Sequence, residues 1–257
     1  MTHIYNNTFF DYIDQGAQRS ARSLIAKMGP ILQPQSVLDL GCGRGVWLNE
    51  WARSGARTVA GVDGDYVDRK QLTIPQKSFI AADLTRPIET GRRFDLAQSL
   101  EVGEHLPGSA SDTLIDSLTN ASDRVLFSAA VIGQGGEFHI NERPLSFWQG
   151  LFEERGYHAI DCVRPKLKNA TGVEPWYRFN TVLYVNEAGR KGLPDDVLRH
   201  SVPYGQKLAN GGNALWKLRR AVVTHLPQNA VTRIAQARAW LIATRASRSA
   251  KEANAVS

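Results

Sequence analysis

The chain has 257 residues, 42% of them hydrophobic, which suits one large α/β domain, or one domain with an appendage. Its two cysteines, Cys42 and Cys162, exclude a disulfide framework, and no apolar run approaches the ~20 residues of a membrane span, so a soluble protein of the reducing cytoplasm is expected. The net charge of +6 is unevenly placed: from Gly205 to Ser257 nine basic residues stand against one acid, Glu252, a net +8 that leaves −2 on residues 1–204.

The opening, MTHIYNNTFFDYID, has neither a basic start nor a long apolar core and does not read as a signal peptide. Ala21, Leu24, Ile25 and Met28 recur at helical spacing, predicting a cap helix that Gly29-Pro30 ends. Phe9, Phe10, Tyr12 and Gly16 are candidates to close over a ligand. Val37, Leu38 and Leu40 then form an apolar run carrying Asp39. The run breaks into Gly41-Cys42-Gly43-Arg44-Gly45, and a helical pattern follows with Val46, Leu48 and Trp51 on one side. Strand, glycine loop and helix make the opening unit of a nucleotide-binding α/β sheet. A dinucleotide fingerprint would need its third glycine at position 46, which is Val46, so the spacing is G-x-G-x-G instead. A second strand, Thr58 to Val62, finishes at Asp63, 18 residues past Gly45. A carboxylate there can accept from both hydroxyls of a ribose; the other reading of Asp63-Gly64 is a plain turn.

FIAADLT, residues 79–85, predicts a third strand ending at Asp83. FDLAQS, residues 94–99, predicts a fourth that runs into Leu100-Glu101-Val102-Gly103-Glu104-His105-Leu106-Pro107. Ligands of open α/β sheets bind at the carboxyl ends of strands, so two carboxylates and an imidazole emerge where a substrate would meet a cofactor. A helix over Ser111–Asn120 and a fifth strand over Arg124–Ala130 come next. Gly133, Gly135 and Gly136 make a flexible loop bearing His139, Asn141, Glu142 and Arg143. A helix from about Ser146 to Glu154 stops at Gly156; Tyr157–Val163 is read as the sixth strand and Trp176–Val185 as the seventh, with Tyr177, Arg178 and Asn180 on it as candidates for the acceptor side. Residues 188–212 read as a linker or loop. Residues 213–257 read as a basic helical extension: Leu215, Leu218, Val222 and Leu226, then Val231, Ile234 and Leu241, recur at helical spacing before a polar end expected to be disordered.

The VLDLGCGRG stretch and the GVDGD, SLEVGEHLP and GQGG…H-x-N-E blocks resemble class I S-adenosylmethionine (SAM)-dependent methyltransferases over roughly residues 1–187, most closely a bacterial group with the same Phe-Tyr-rich opening. The resemblance implies a seven-stranded Rossmann-like class I methyltransferase sheet with helices on both faces, in a domain spanning residues 1–187. It also implies SAM as cofactor, held by Asp39, Gly41, Gly43, Gly45, Asp63, Asp83, Leu84, Ser99 and Glu101. In that picture the glycine loop lies beneath the methionine and ribose, Asp63 grips the ribose, and Asp83 meets the adenine amino group. Read without the resemblance, Asp83 is a strand-terminal acid facing water.

Methyl transfer from a sulfonium needs the nucleophile placed in line and, for a hydroxyl, its proton removed. E-x-x-E-H puts Glu101 and Glu104 one turn apart with His105 beside the second, and His139 can approach from the loop after the fifth strand. The expected catalytic residues are therefore His105, Glu104 and His139. The motif is similar to the metal site of small-RNA 3′-terminal 2′-O-methyltransferases and of quinone-biosynthesis O-methyltransferases. That similarity implies a Mg²⁺ or Mn²⁺ held by Glu101, Glu104, His105 and His139. A metal-free histidine base, and a structural role in which Glu101 orients SAM and Glu104 holds His105, stay open beside it. Three functions follow: a methyltransferase acting on a hydroxyl of a small molecule or glycan; an RNA 2′-O-methyltransferase, although no RNA-binding module is recognisable and nucleic acid is not the expected partner; and a non-catalytic SAM-binding interaction protein. In each case the basic tail is either packed on the domain or in peripheral contact with an anionic surface such as the inner membrane.

Overall fold

The computed structural model describes residues 7–227, 230–234 and 237, with side chains described from Gly16 onward. The polar end therefore lies outside the described residues, as do Leu241 and the side chains of Phe9, Phe10 and Tyr12. Helix α1 (Asn7–Leu32) leads into β1 (Ser36–Leu40), α2 (Val46–Arg53), β2 (Thr58–Asp63), β3 (Phe79–Ala81) and β4 (Leu96–Leu100). Then come α3 (Ser111–Ala121), β5 (Arg124–Ser128), α4 (Leu145–Glu153), β6 (His158–Ile160), α5 (Val163–Leu167), α6 (Pro175–Asn180) and β7 (Val182–Val185). Two short helices, α7 (Glu187–Arg190) and α8 (Asp195–Leu198), and a longer one, α9 (Ala214–Thr224), complete the described elements.

The strands form one seven-stranded sheet in the order β3-β2-β1-β4-β5-β7-β6. Six strands run in one direction, and β7 runs antiparallel to them between β5 and β6. Central strands are apolar on both faces because both faces are covered. Val37, Leu96, Leu126 and Leu183 pack with α1, α2, α5 and α6 on one side. Leu38, Ala97, Val125, Phe127 and Tyr184 pack with α3 and α4 on the other. The strand order reverses between β1 and β4, and in such sheets the crevice beyond the carboxyl ends at that point is where ligands bind. Among the described residues no helix is long and apolar enough to cross a membrane.

Several elements depart from the pattern read in the sequence. Helix α1 does not stop at Gly29-Pro30 but runs through Pro30 to Leu32, ending where Gln33 turns left-handed and donates to the Gly29 carbonyl at 2.8 Å. A proline in the last turn forfeits one backbone bond, and burial of Leu32 against the core favours continuing the helix. The seventh strand is shorter than expected. Residues 175–180 form α6 instead, with Pro175 at the first helical position, where its missing N–H costs nothing. Tyr177, Arg178 and Asn180 therefore lie on a helix, not a strand. The sixth strand ends at Ile160, and Val163 opens α5. The third ends at Ala81, two residues before Asp83. Residues 188–212 carry α8 and parts of α7, bridge to the sheet through Ile160 and Ser201, and bury Leu193, Val197 and Leu208, which ties this stretch to the core.

Candidate active site

One half of the crevice is built from the β1 loop. Its chain turns on Gly41, Gly43 and Gly45, all at positive φ, while the amides of Gly41 and Cys42 both donate to the Val62 carbonyl of β2. The glycines serve different needs. A Cβ on Gly41 would stand 2.2 Å from Val102, so Gly41 is required by packing; Gly43, at φ 53, has nothing within 4 Å of a Cβ and leaves its surface open to an incoming ligand. The Gly43 amide donates to Asp63 Oδ2 at 2.6 Å, which locks loop and acid together. Asp63, buried at the end of β2, also accepts from the Gly64 amide at 2.7 Å and from the Tyr66 hydroxyl, both on Oδ1.

Asp39 sits inside β1 and faces Gln98 of β4, whose Nε2 donates to it at 2.9 Å while Trp51 Nε1 donates to Gln98 Oε1. Burial pushes the Asp39 carboxyl up to about 7; the Gln98 bond opposes this and the charge of Asp63 adds to it. The Ser99 hydroxyl is spent within the sheet on the Leu40 carbonyl, and Leu84 is a buried apolar contact of the α3–α4 side. Asp83 is exposed and accepts from the Thr85 hydroxyl and amide, which lower its pKa; an Asx turn fixes its position.

The other half is organised by the end of β4. Glu101 follows the strand at φ 59, a left-handed conformation uncommon for a residue with a side chain, and its amide still donates to the Ser128 carbonyl of β5. Its carboxylate accepts from Gln134 Nε2 at 2.6 Å, and Asn180 Nδ2 stands 3.5 Å away while bonding Gln134 Oε1 at 2.7 Å. Burial raises the Glu101 pKa against the pull of these donors. Glu104 is fully buried, and neither of its oxygens has a hydrogen-bond partner. Burial, the neighbouring charge of Glu101 and contact with the Glu101 carboxyl hold its pKa well above the carboxylate range, against the pull of the Glu104 and Ala130 amides. Buried polar atoms are nearly always paired, so a doubly orphaned carboxylate marks a place where something binds.

His105 and His139 flank that acid. Their rings meet edge to face at 4.9 Å, and one ligand atom from each of Glu104, His105 and His139 lies within 4.8 Å of the others. His105 is exposed at the mouth, yet crowding by the surrounding protein and the adjacent His139 lower its pKa, so it is neutral at pH 7. His139 is placed by its own loop. Its Nδ1 lies 2.9 Å from Glu142 Oε1, and the two oxygens of Glu142 also accept from the Gly133 and Gly135 amides. Burial works to raise the Glu142 pKa, and the bonds from His139 and the two amides more than offset it. The amides of Ile140 and Asn141 donate to the Glu104 carbonyl, while Asn141 Nδ2 donates to the Gly103 carbonyl and to Ser111 Oγ.

The structure thus brings together Glu104, His105 and His139. Glu101, expected as a fourth ligand, does not belong to that tight group and is held by Gln134 and Asn180. Gln134 and the orienting part played by Glu142 were not read from the sequence; the one available signal was polar residues inside a glycine-rich loop after a strand. The donor set fits a divalent cation: a buried carboxylate lacking partners and two imidazoles, one already oriented by a carboxylate, as metal-bound histidines generally are.

Residues 13–158, more than half of the chain, match the family profile described as a methyltransferase domain. No curated protein matches the chain in sequence. Among solved structures, an O-methyltransferase family protein from Burkholderia thailandensis aligns with a TM-score of 0.54 at 12% identity, over 69% of this chain and 58% of that one. This chain therefore spans a little over half the length of that relative. The magnesium protoporphyrin IX methyltransferase of Synechocystis PCC 6803, solved with bound SAM, aligns with a TM-score of 0.51 at 19% identity, over 72% of this chain and 87% of that one. These two likenesses concern the fold. The profile match, on a chain folded as the seven-stranded sheet described above, shows that the chain belongs to the methyltransferase-domain family.

Proposed function

We propose that the enzyme methylates a hydroxyl of a small molecule or of a glycan, and that Glu104, His105 and His139 activate that hydroxyl. The observation that carries this reading is the buried Glu104 carboxylate with both oxygens unpartnered, beside two imidazoles. A hydroxyl attacking the SAM methyl forms a C–O bond as the C–S bond breaks, and the sulfur keeps the electron pair. The hydroxyl proton must leave: without a cation, neutral His105 at the mouth takes it, and with a cation held by His105 it passes from the acidified hydroxyl to solvent. Glu142 fixes the orientation of the His139 ring beside Glu104 and His105. Mg²⁺ or Mn²⁺ bound by Glu104, His105 and His139 would supply Lewis acidity that lowers the pKa of the hydroxyl. In this reading SAM lies over Gly43 with its ribose on Asp63 and its adenine toward Asp83. Asp39, Gly41, Gly45, Leu84 and Ser99 support that bed, and Glu101 borders the methionine end.

A nucleic-acid acceptor is the second reading, favoured by the +8 carried by residues 205–257; it requires binding that falls steeply with salt. The test of the first reading is to treat purified enzyme with EDTA and follow SAM consumption against hydroxylated acceptors. Activity should vanish and return with Mg²⁺ or Mn²⁺, while S-adenosylhomocysteine (SAH) binding persists in calorimetry. Full activity after chelation would remove the metal and leave His105 as the base.

A further inference from the structure

Helix α9 meets the domain with an unexpected face. Asn213 caps it by accepting from the Trp216 amide at 2.9 Å. Trp216 is buried with its ring 5.9 Å from that of Phe179 on α6. Arg219 donates to the Gln134 carbonyl, and Arg220 donates twice to the Ile132 carbonyl, at 3.0 and 2.8 Å. Helix and loop are fitted to each other. A Cβ on Gly133 would stand 2.3 Å from Thr224 Oγ1 and 2.5 Å from the Arg220 carbonyl oxygen, and one on Gly135 would crowd Val231 and Val223. The docked face is therefore Trp216, Arg219, Arg220 and Val223. The stripe at helical spacing, Leu215, Leu218, Val222 and Leu226, is turned outward and is 77%, 63%, 57% and 37% exposed. Ile132, whose carbonyl α9 holds, is itself 46% exposed.

We propose that this outer face of α9 docks on an anionic lipid surface. An apolar stripe on a helix lying flat, with basic residues and no acid in its own segment, gains from acyl burial and from anionic headgroups together. No Asp or Glu occurs from Val197 to Lys251, and the exposed Lys217 and Arg233 lie in the described part of that span, while Arg219 and Arg220 are engaged by the domain. Charge argues against a second copy of the chain on this face, because the copy would bring the same +8 tail against its own kind. A nucleic acid would leave the apolar stripe in water. Four partly exposed side chains give modest burial, so the contact depends on anionic lipid.

The test is co-sedimentation of the full chain with phosphatidylglycerol–phosphatidylcholine vesicles and with pure phosphatidylcholine vesicles. Binding should appear with the anionic vesicles alone and weaken at ~0.5 M NaCl, where surface charge is screened. The paired substitutions Leu218→Asp and Val222→Asp should lower partitioning about tenfold with SAH affinity unchanged. The milder pair Leu215→Ser and Leu218→Ser reads the same stripe should the aspartates disturb SAH binding. Absence of binding to anionic vesicles, or equal binding by both variant pairs, overturns the proposal. So does a dimer in light scattering that the variants abolish without any vesicle binding. Sedimentation is read without methyl transfer, so its failure leaves the O-methylation reading standing.

Discussion

The two halves of the crevice handle their carboxylates in opposite ways. On the cofactor side Asp63 is buried but accepts two amides and the Tyr66 hydroxyl, and Asp83 is exposed and tied to Thr85. On the acceptor side Glu104 is buried with no partner, next to a Glu101 held in a left-handed backbone conformation. Backbone amides can orient an acid before any ligand arrives, whereas an orphaned acid costs free energy until a cation or a donor reaches it. The acids around the β1 loop are therefore held in advance, whereas Glu104 is left open to a cation or donor.

The largest expected effect tests that contrast directly. Glu104→Gln keeps the shape and removes the ionisable oxygen, and turnover should fall by about 10²–10³-fold with SAH affinity in calorimetry unchanged. A parallel loss of SAH binding would erase the distinction between the halves.

Asp39 gives a second, smaller effect, because it is the cofactor-side acid with only Gln98 to oppose its burial. Its folded pKa of about 7 lies above the ordinary carboxylate value of about 4, so between those pH values the native state keeps a proton that the unfolded chain releases. Stability is accordingly lost as pH rises through that window. Asp39→Asn removes this slope and should be favoured over wild type by roughly 2 kcal/mol more at pH 8 than at pH 5, measured by urea unfolding. The same difference at both pH values would mean that Asp39 is not held protonated.

The smallest effect concerns Tyr66, an exposed ring whose hydroxyl occupies the Asp63 oxygen that the proposed ribose contact would use. Tyr66→Phe should tighten SAH binding by about two- to fivefold, since one competing hydrogen bond is worth on the order of 1 kcal/mol or less. Weaker binding would instead make Tyr66 part of the cofactor bed.

Much of the first half could be read from the chain. VLDLGCGRG, Asp63 and the E-x-x-E-H run are contiguous signals, since a parallel strand and the loop at its tip are adjacent in sequence. Three features were not readable. WYRFN has the aromatic content of a strand, but Pro175 and the burial of Tyr177 and Phe179 make it a helix. His139 had no visible orienting partner until Glu142 and the Gly133 and Gly135 amides were seen around one point. The outward stripe of α9 also runs against the rule that an apolar face is a buried face, because Trp216 and the two arginines make the contact instead.

The sequence by itself determined the sheet, the glycine loop and the acids at the strand tips, because each is a local pattern of burial and backbone freedom over a few residues. Only the tertiary structure decided which of those acids would be held by donors, that Glu104, His105 and His139 form the tight group while Glu101 is turned to Gln134 and Asn180, and which side of α9 faces water. Those outcomes depend on donors from segments 30 to 80 residues away, such as Gln134 and Asn180 on Glu101, and no local pattern encodes where the chain will bring them.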